Sequence, residues 1–146
     1  MSTSDSDALR RRADVRLLRG QTVAILGYGT QGSAHALNLR DSGVSVIIAQ
    51  RPGSQRYDDA VAAGFQPVSV EQACQTTDLL VMALPDEAMP AIYDASITPH
   101  LRAGQTLGFL HGYVIHYRQI EPPPDADVVL VAPKAQGRGV RSTYVA

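Results

Sequence analysis

From Gln21 onward, short apolar runs alternate with segments of helical spacing. The runs "TVAIL" (Thr22–Leu26), "VSVIIAQ" (Val44–Gln50), "DLLVMAL" (Asp78–Leu84), "QTLGFL" (Gln105–Leu110) and "DVVLVA" (Asp127–Ala132) are nearly continuous in apolar residues. That pattern suits strands covered on both faces, as in a parallel sheet. Gln66–Val68 predicts one more short strand, third in chain order. Between the runs, Thr30–Ser42 predicts a helix stopped by Gly43, and Arg56–Ala63 one ended by Gly64. "SVEQ" opens another, with Ser69 as the capping residue and Gln72 three positions on. Glu87–Ala95 supplies a further helix. Strands separated by helices imply right-handed crossovers, hence an α/β, doubly wound, mostly parallel sheet of about six strands with helices on both faces.

Size and charge narrow the function. A chain of 146 residues, 45% hydrophobic, accommodates one core. Residues 1–19 are polar and charged and are read as an arm, flexible or briefly helical, leaving 20–146 as the folded domain. Lys plus Arg number 13 against 14 Asp plus Glu, so net charge gives no reason to expect nucleic acid or an anionic membrane as partner. The Arg10–Arg12 cluster is read as solvated surface beside aspartates. No apolar run approaches the roughly 20 residues a membrane span needs. The opening lacks the apolar core of a secretory leader, and Cys74 has no partner for a disulfide or zinc site. These features point to a reducing, cytoplasmic compartment, with Cys74 a buried helix thiol.

Each strand other than the short Gln66–Val68 run ends in a residue of special character: Gly27, Arg51, Asp86, His111 and Lys134. Ligands of open parallel sheets bind outside the carboxyl ends of the strands, so these five positions would meet at one crevice. Gly27, Gly29 and Gly32 form GxGxxG immediately after an apolar strand and at the start of a helix, the setting of a Rossmann dinucleotide turn. Gly27 permits the tight turn, Gly29 the approach of a pyrophosphate, and Gly32 close helix–strand packing. An NAD-type site places an acid at the end of the second strand for the ribose 2′-hydroxyl. This chain has Gln50 and Arg51 there, followed by Ser54 and Arg56, two guanidiniums and a hydroxyl suited to a 2′-phosphate. The residues therefore predict NADP(H). His111 beside Gly112 could face the crevice and handle protons, and Lys134 after Pro133 could hold a carboxylate or a developing oxyanion.

Together "GYGTQGSAHALNLRDSGV", "LPDE", "HGYVIH", and "VAPK" followed by "VRSTYV" resemble the amino-terminal, cofactor-binding domain of ketol-acid reductoisomerases, from about Leu18 to Val145. The resemblance implies an NADPH- and Mg²⁺-dependent enzyme. Its reaction is an alkyl shift followed by reduction of 2-acetolactate or 2-aceto-2-hydroxybutyrate, in valine, leucine and isoleucine synthesis. It implies that Tyr28, Gly29, Thr30 and Gln31 line the pyrophosphate, and that Arg51 and Ser54 meet the adenosine phosphate. Asp86 and Glu87 would stand at the nicotinamide side and Gly137 near the cofactor's far end. His111 matches the family's active-site histidine, and Lys134 its lysine beside the metal-bound substrate.

The chain departs from the family where Arg56 replaces a second phosphate-binding serine, where Met89 replaces a glutamine, and in "PKAQGRGVR", where relatives read PKGPGH. The family's Mg²⁺ carboxylates belong to a helical carboxyl-terminal domain, expected to begin where this chain ends, so no metal ligand is assigned here. Two roles stay open. One is the cofactor half of an enzyme, completed by a carboxyl-terminal domain chain or a homo-oligomer and inactive alone. The other is a free-standing, non-catalytic NADPH-binding or regulatory module. A hydroxy-acid or prephenate type of dehydrogenase is disfavoured by "HGYVIH" and "VRSTYV".

Overall fold

The computed structural model describes residues 13–146, so Arg10–Arg12 lie outside the described residues. Within the stretch read as an arm, Val15–Leu18 forms one 3-10 turn, capped by the Asp14 carboxylate, which accepts the Arg16 N–H at 2.9 Å. The sheet follows: β1 (Thr22–Leu26), β2 (Ser45–Ala49), β3 (Leu79–Met82), β4 (Thr106–Phe109) and β5 (Asp127–Leu130). All neighbours are parallel, in the order β2-β1-β3-β4-β5.

The sheet has five strands, where the apolar runs predict about six. The missing one is Gln66–Val68, which makes a single bridge, Ala49↔Val68. Val68 donates to the Ile48 carbonyl at 2.9 Å and accepts from the Gln50 N–H at 3.1 Å. The Ser69 cap turns the chain into a helix at Val70, so the pairing stops at this one bridge.

Among the described residues the α-helices are α1 (Thr30–Asp41), α2 (Gln55–Ala62), α3 (Val70–Thr76), α4 (Met89–Ile92) and α5 (Tyr113–His116) between strands, and α6 (Gly137–Val145) after β5. Serine caps start two of them. Ser54 accepts the Tyr57 N–H ahead of α2, and Ser69 accepts the Gln72 N–H ahead of α3. The helix expected over Glu87–Ala95 is displaced toward the C-terminus. Pro90 sits in the first turn of α4, and the run continues as a π turn (Tyr93–Ile97) and a 3-10 turn (Thr98–His100).

Alternate residues of β1 face opposite layers, as the period of two in a strand requires. Val23 and Ile25 pack with Ala36 of α1, Ala60 of α2 and Phe65. Ala24 and Leu26 pack with Ala73 and Cys74 of α3, and with Met89 and Tyr93 beyond β3. Both faces of the central strands are thereby dry, the physical reason for their unbroken apolar composition. Gln105 is buried, its Nε2 donating to the carbonyls of Cys74 (2.7 Å) and Thr77 (2.6 Å).

Helix α6 is not foreseen by the sequence pattern. Gly137 and Gly139 each oppose helix formation by about 1 kcal/mol relative to alanine, and tertiary docking overrides them. Arg141 donates to Asn38 Oδ1 at 2.8 Å and to Asp41 Oδ2 at 2.6 Å on α1, while Tyr144 and Ser42 hydroxyls meet at 2.7 Å. Gly137 is required by contact: a Cβ there would lie 2.0 Å from the Thr30 carbonyl oxygen.

Candidate cofactor-binding site

The glycine turn is built by exclusion. Gly27 leaves β1 with φ +98°, and a Cβ on it would lie 2.6 Å from the Ala83 carbonyl oxygen, so only glycine closes this turn. A Cβ on Gly32 would fall 2.1 Å from the Gly27 carbonyl oxygen, so the helix start can press on the strand end only without one. Gly29 differs: a Cβ there meets nothing within 4 Å, which leaves open space on that side of the turn. Gly29 is also the N-cap of α1 and offers no side-chain acceptor, unlike Ser54 and Ser69. The first helical bond is Ser33 N–H to the Gly29 carbonyl. The N–H groups of Thr30, Gln31 and Gly32 thus lack intrahelical acceptors and, with the helix dipole, favour an anion. Open space at Gly29 beside uncapped donors fits a dinucleotide pyrophosphate.

Side chains near the turn divide by direction. Tyr28 is buried edge-on against Phe65, 5.8 Å between ring centres, and burial pushes its hydroxyl pKa up. Its ring is thereby withdrawn from any ligand at the turn. Gln31 Nε2 donates to the Ala135 carbonyl at 2.9 Å, tying the turn to the loop after β5. Gly137, expected near the cofactor's far end, is buried against Thr30 at the start of α1, on the same side as the turn.

At the end of β2, Gln50 bridges two loops. Its Oε1 accepts the Tyr28 N–H at 3.0 Å and its Nε2 donates to Ser54 Oγ at 3.1 Å. Arg51 is exposed and, among the described residues, forms no ion pair. Arg56 leans on Asp59 at 3.5 Å. Of the two guanidiniums in this loop, Arg51 is therefore the one without an ionic partner among the described residues.

On the other side of β1, Asp86 follows β3 and His111 follows β4. Their side chains meet, His111 Nδ1 lying 3.4 Å from Asp86 Oδ2, and the imidazole is two-thirds exposed. The same Nδ1 lies 3.3 Å from the Tyr113 N–H. A neutral ring accepts that N–H at Nδ1, whereas a protonated ring donates toward Asp86, so this nitrogen has a partner in either state. Asp86 and Glu87 line a cleft with Pro90, Tyr113 and Gln119. His116 ends α5. Lys134, after β5, is exposed.

The parallel register brings Gly27, Arg51, Asp86, His111 and Lys134 to one end of the sheet. Arg51 and His111 leave strands three places apart, roughly 14 Å at the usual strand spacing. An extended dinucleotide spans that distance across the glycine turn. Among the described residues no three His, Cys, Asp or Glu side chains converge to hold a metal ion. Sequence reasoning missed the bridging role of Gln50 and the link from Gln31 to Ala135. The only signal was Gln50 itself, an amide where an acid is usual.

Known proteins share this fold. The model of the acetohydroxy acid isomeroreductase NADPH-binding domain matches residues 17–146. An NADH-preferring ketol-acid reductoisomerase from an uncultured archaeon is 40% identical with a TM-score of 0.88, over 92% of this chain and 42% of that one. A semialdehyde dehydrogenase NAD-binding protein from Cupriavidus necator, solved with calcium and NAD, is 28% identical with a TM-score of 0.62, over 75% of this chain and 40% of that one. The 3-hydroxyisobutyrate dehydrogenase of Mycobacterium tuberculosis shares the fold alone, at 17% identity and a TM-score of 0.65, over 84% of this chain and 43% of that one. The chain thus spans less than half the length of each relative. The glycine turn, the crossover order and the family match over residues 17–146 agree: the chain belongs to the ketol-acid reductoisomerase family and is an NADPH-binding domain of that family.

Proposed function

We propose that this chain binds NADPH in preference to NADH and serves as the cofactor half of a ketol-acid reductoisomerase. The observation that carries the preference is Arg51, which forms no ion pair among the described residues, in the loop with Ser54 at a strand end that lacks an acid. The N–H groups of Thr30, Gln31 and Gly32 receive the pyrophosphate, with Gly27, Gly29 and the Tyr28 backbone shaping the turn. Arg51 and Ser54 hold the 2′-phosphate, with Arg56 adding charge nearby. Asp86 and Glu87 flank the nicotinamide, and the loop through Gly137 borders the turn.

NADPH, when bound, supplies the hydride that reduces the ketone of a rearranged 2-acetohydroxy acid. His111 stands ready to hold or pass a proton at Nε2, the nitrogen left free while Nδ1 engages Asp86 or the Tyr113 N–H. In this reading Lys134 meets the substrate's carboxylate. The resemblance also implies Mg²⁺ for the alkyl shift, and the residues described here do not fit it. Asp86 and Glu87 are neighbours in one loop and no third ligand joins them. The metal ligands would come from a helical carboxyl-terminal domain, in another chain or segment, or from a second copy. The buried free thiol of Cys74 suits a reducing compartment such as the cytoplasm. No helix among the described residues is long and apolar enough to cross a membrane.

Among the described residues no metal set converges, which favours a second role for the chain by itself: NADPH binding without turnover. Fluorescence titration with NADPH and NADH tests the first reading, and equal affinities would remove it. NADPH oxidation with 2-acetolactate and Mg²⁺ tests the second. Turnover by the purified chain alone would rule out the incomplete-site reading, and recovery of turnover on adding a family carboxyl-terminal domain would support it.

A further inference from the structure

Gln50 ends β2 where a carboxylate would hold a ribose 2′-hydroxyl, and its amide is engaged otherwise. The Tyr28 N–H needs an acceptor, so Gln50 Oε1 faces the glycine turn and the amide nitrogen faces Ser54. Ser54 Oγ accepts from Gln50 Nε2 at 3.1 Å and from the Tyr57 N–H at 3.2 Å. A hydroxyl has two lone pairs and one proton. With both lone pairs engaged, Ser54 retains only its proton, which it gives to the Arg51 carbonyl at 2.8 Å.

We propose that Gln50 is a specificity-determining residue for the cofactor, making Ser54 a dedicated hydrogen-bond donor at the adenosine ribose. A 2′-phosphate, the stronger acceptor, draws that proton off the Arg51 carbonyl, whereas a 2′-hydroxyl must also donate and finds no acceptor at Ser54. The inference rests on the reading of the Arg51–Ser54 loop as the 2′-phosphate subsite. Gln50 also joins that loop to the glycine turn, 22 residues upstream at Tyr28, and so fixes the spacing of the two phosphate subsites. Gln50 acts through Ser54 and is a positioning residue.

Gln50→Glu keeps the shape. One carboxylate oxygen still accepts the Tyr28 N–H, and the other draws the Ser54 proton to itself and sets a negative charge beside the phosphate. Gln50→Met keeps the volume and removes both bonds. The test is titration of the full chain with NADPH and with NADH, following cofactor fluorescence, for wild type, both variants and Arg51→Ala. Gln50→Glu is expected to weaken NADPH by about tenfold or more, the loss of one charge-assisted bond, and to leave NADH unchanged or tighter. Gln50→Met is expected to weaken NADPH several-fold and NADH less, and it decides the question should the glutamate variant not fold. Equal weakening of both cofactors, or an unchanged ratio, overturns the proposal. If Arg51→Ala shifts the ratio while the Gln50 variants do not, the subsite stands and the role of Gln50 falls. If none shifts it, the subsite reading falls too.

Discussion

The carbonyl oxygen of Gly27 stands 2.1 Å from the point where a Cβ on Gly32 would begin. The obstacle is backbone, so no rotamer change relieves it. Gly32→Ala is therefore expected to push α1 from the end of β1 and to cost about 1–3 kcal/mol, as overpacking does. Gly29→Ala should separate the two jobs of the turn, because a Cβ at Gly29 meets nothing within 4 Å and its φ of −76° suits any residue. Thermal denaturation should show a lowered midpoint for Gly32→Ala and an unchanged one for Gly29→Ala. Cofactor titration should show weakened NADPH binding for both.

The two arginines of the loop after β2 should be unequal. Arg51 has no ionic partner among the described residues, whereas Arg56 is shared with Asp59. Arg51→Ala is expected to lower NADPH affinity by about tenfold to a hundredfold, the value of a hydrogen bond to a charged group, with NADH scarcely affected. Arg56→Ala should have the smaller effect. Calorimetric titration of both variants with both cofactors measures this directly, and equal losses would assign the phosphate to both guanidiniums.

Ser54 and Ser69 provide a matched pair. Each accepts an N–H from the first turn of its helix, at 3.2 Å. Loss of either cap is expected to cost about 0.5–2 kcal/mol, read as a lowered urea midpoint. Only Ser54→Ala should also weaken NADPH. A loss of NADPH binding in Ser69→Ala would show that the affinity change reports stability and not contact.

The element pattern was legible because the central strands are dry on both faces, which forces long apolar runs bounded by glycine and proline. β1 matches its apolar run at both ends, since Gly27 and Gln21 bound it sharply. What failed to read through was decided by contacts distant in sequence. Val68 was apolar enough for a strand, but the Ser69 cap turns the chain into α3 at Val70 and leaves a single bridge. α6 was hidden by Gly137 and Gly139 and exists because Arg141 reaches Asn38 and Asp41, about a hundred residues upstream. At the site, the glycine spacing and Arg51 were visible as residue types. The pairing of Asp86 with His111 was not, since it depends on β3 and β4 lying side by side.

Cys74 gives a pH signature. Burial pushes its thiol from the ordinary 9.0 to about 11. The folded chain then holds the proton more tightly than the unfolded chain. Its contribution to stability is complete below about pH 9 and is lost as pH rises toward 11. Urea midpoints measured from pH 8 to 11 should fall more steeply for wild type than for Cys74→Ala. At pH 8 a thiol reagent should label Cys74 only after unfolding. Labelling of the native protein at the rate of a free thiol would contradict the burial.

β5 ends the sheet on one side, and Val128, Val129 and Leu130 on it, with Val131 after it, are 41–59% exposed. Its outer row of amides and carbonyls has no neighbour within the described sheet, and its side chains are oily above and below. Such a border invites another polypeptide to zip alongside. The proposed grip on the adenosine end lies four strands away, at the β2 margin. Growth of the sheet at the β5 border would therefore enlarge the molecule without disturbing how it grasps its nucleotide, so size and cofactor choice are free to evolve separately.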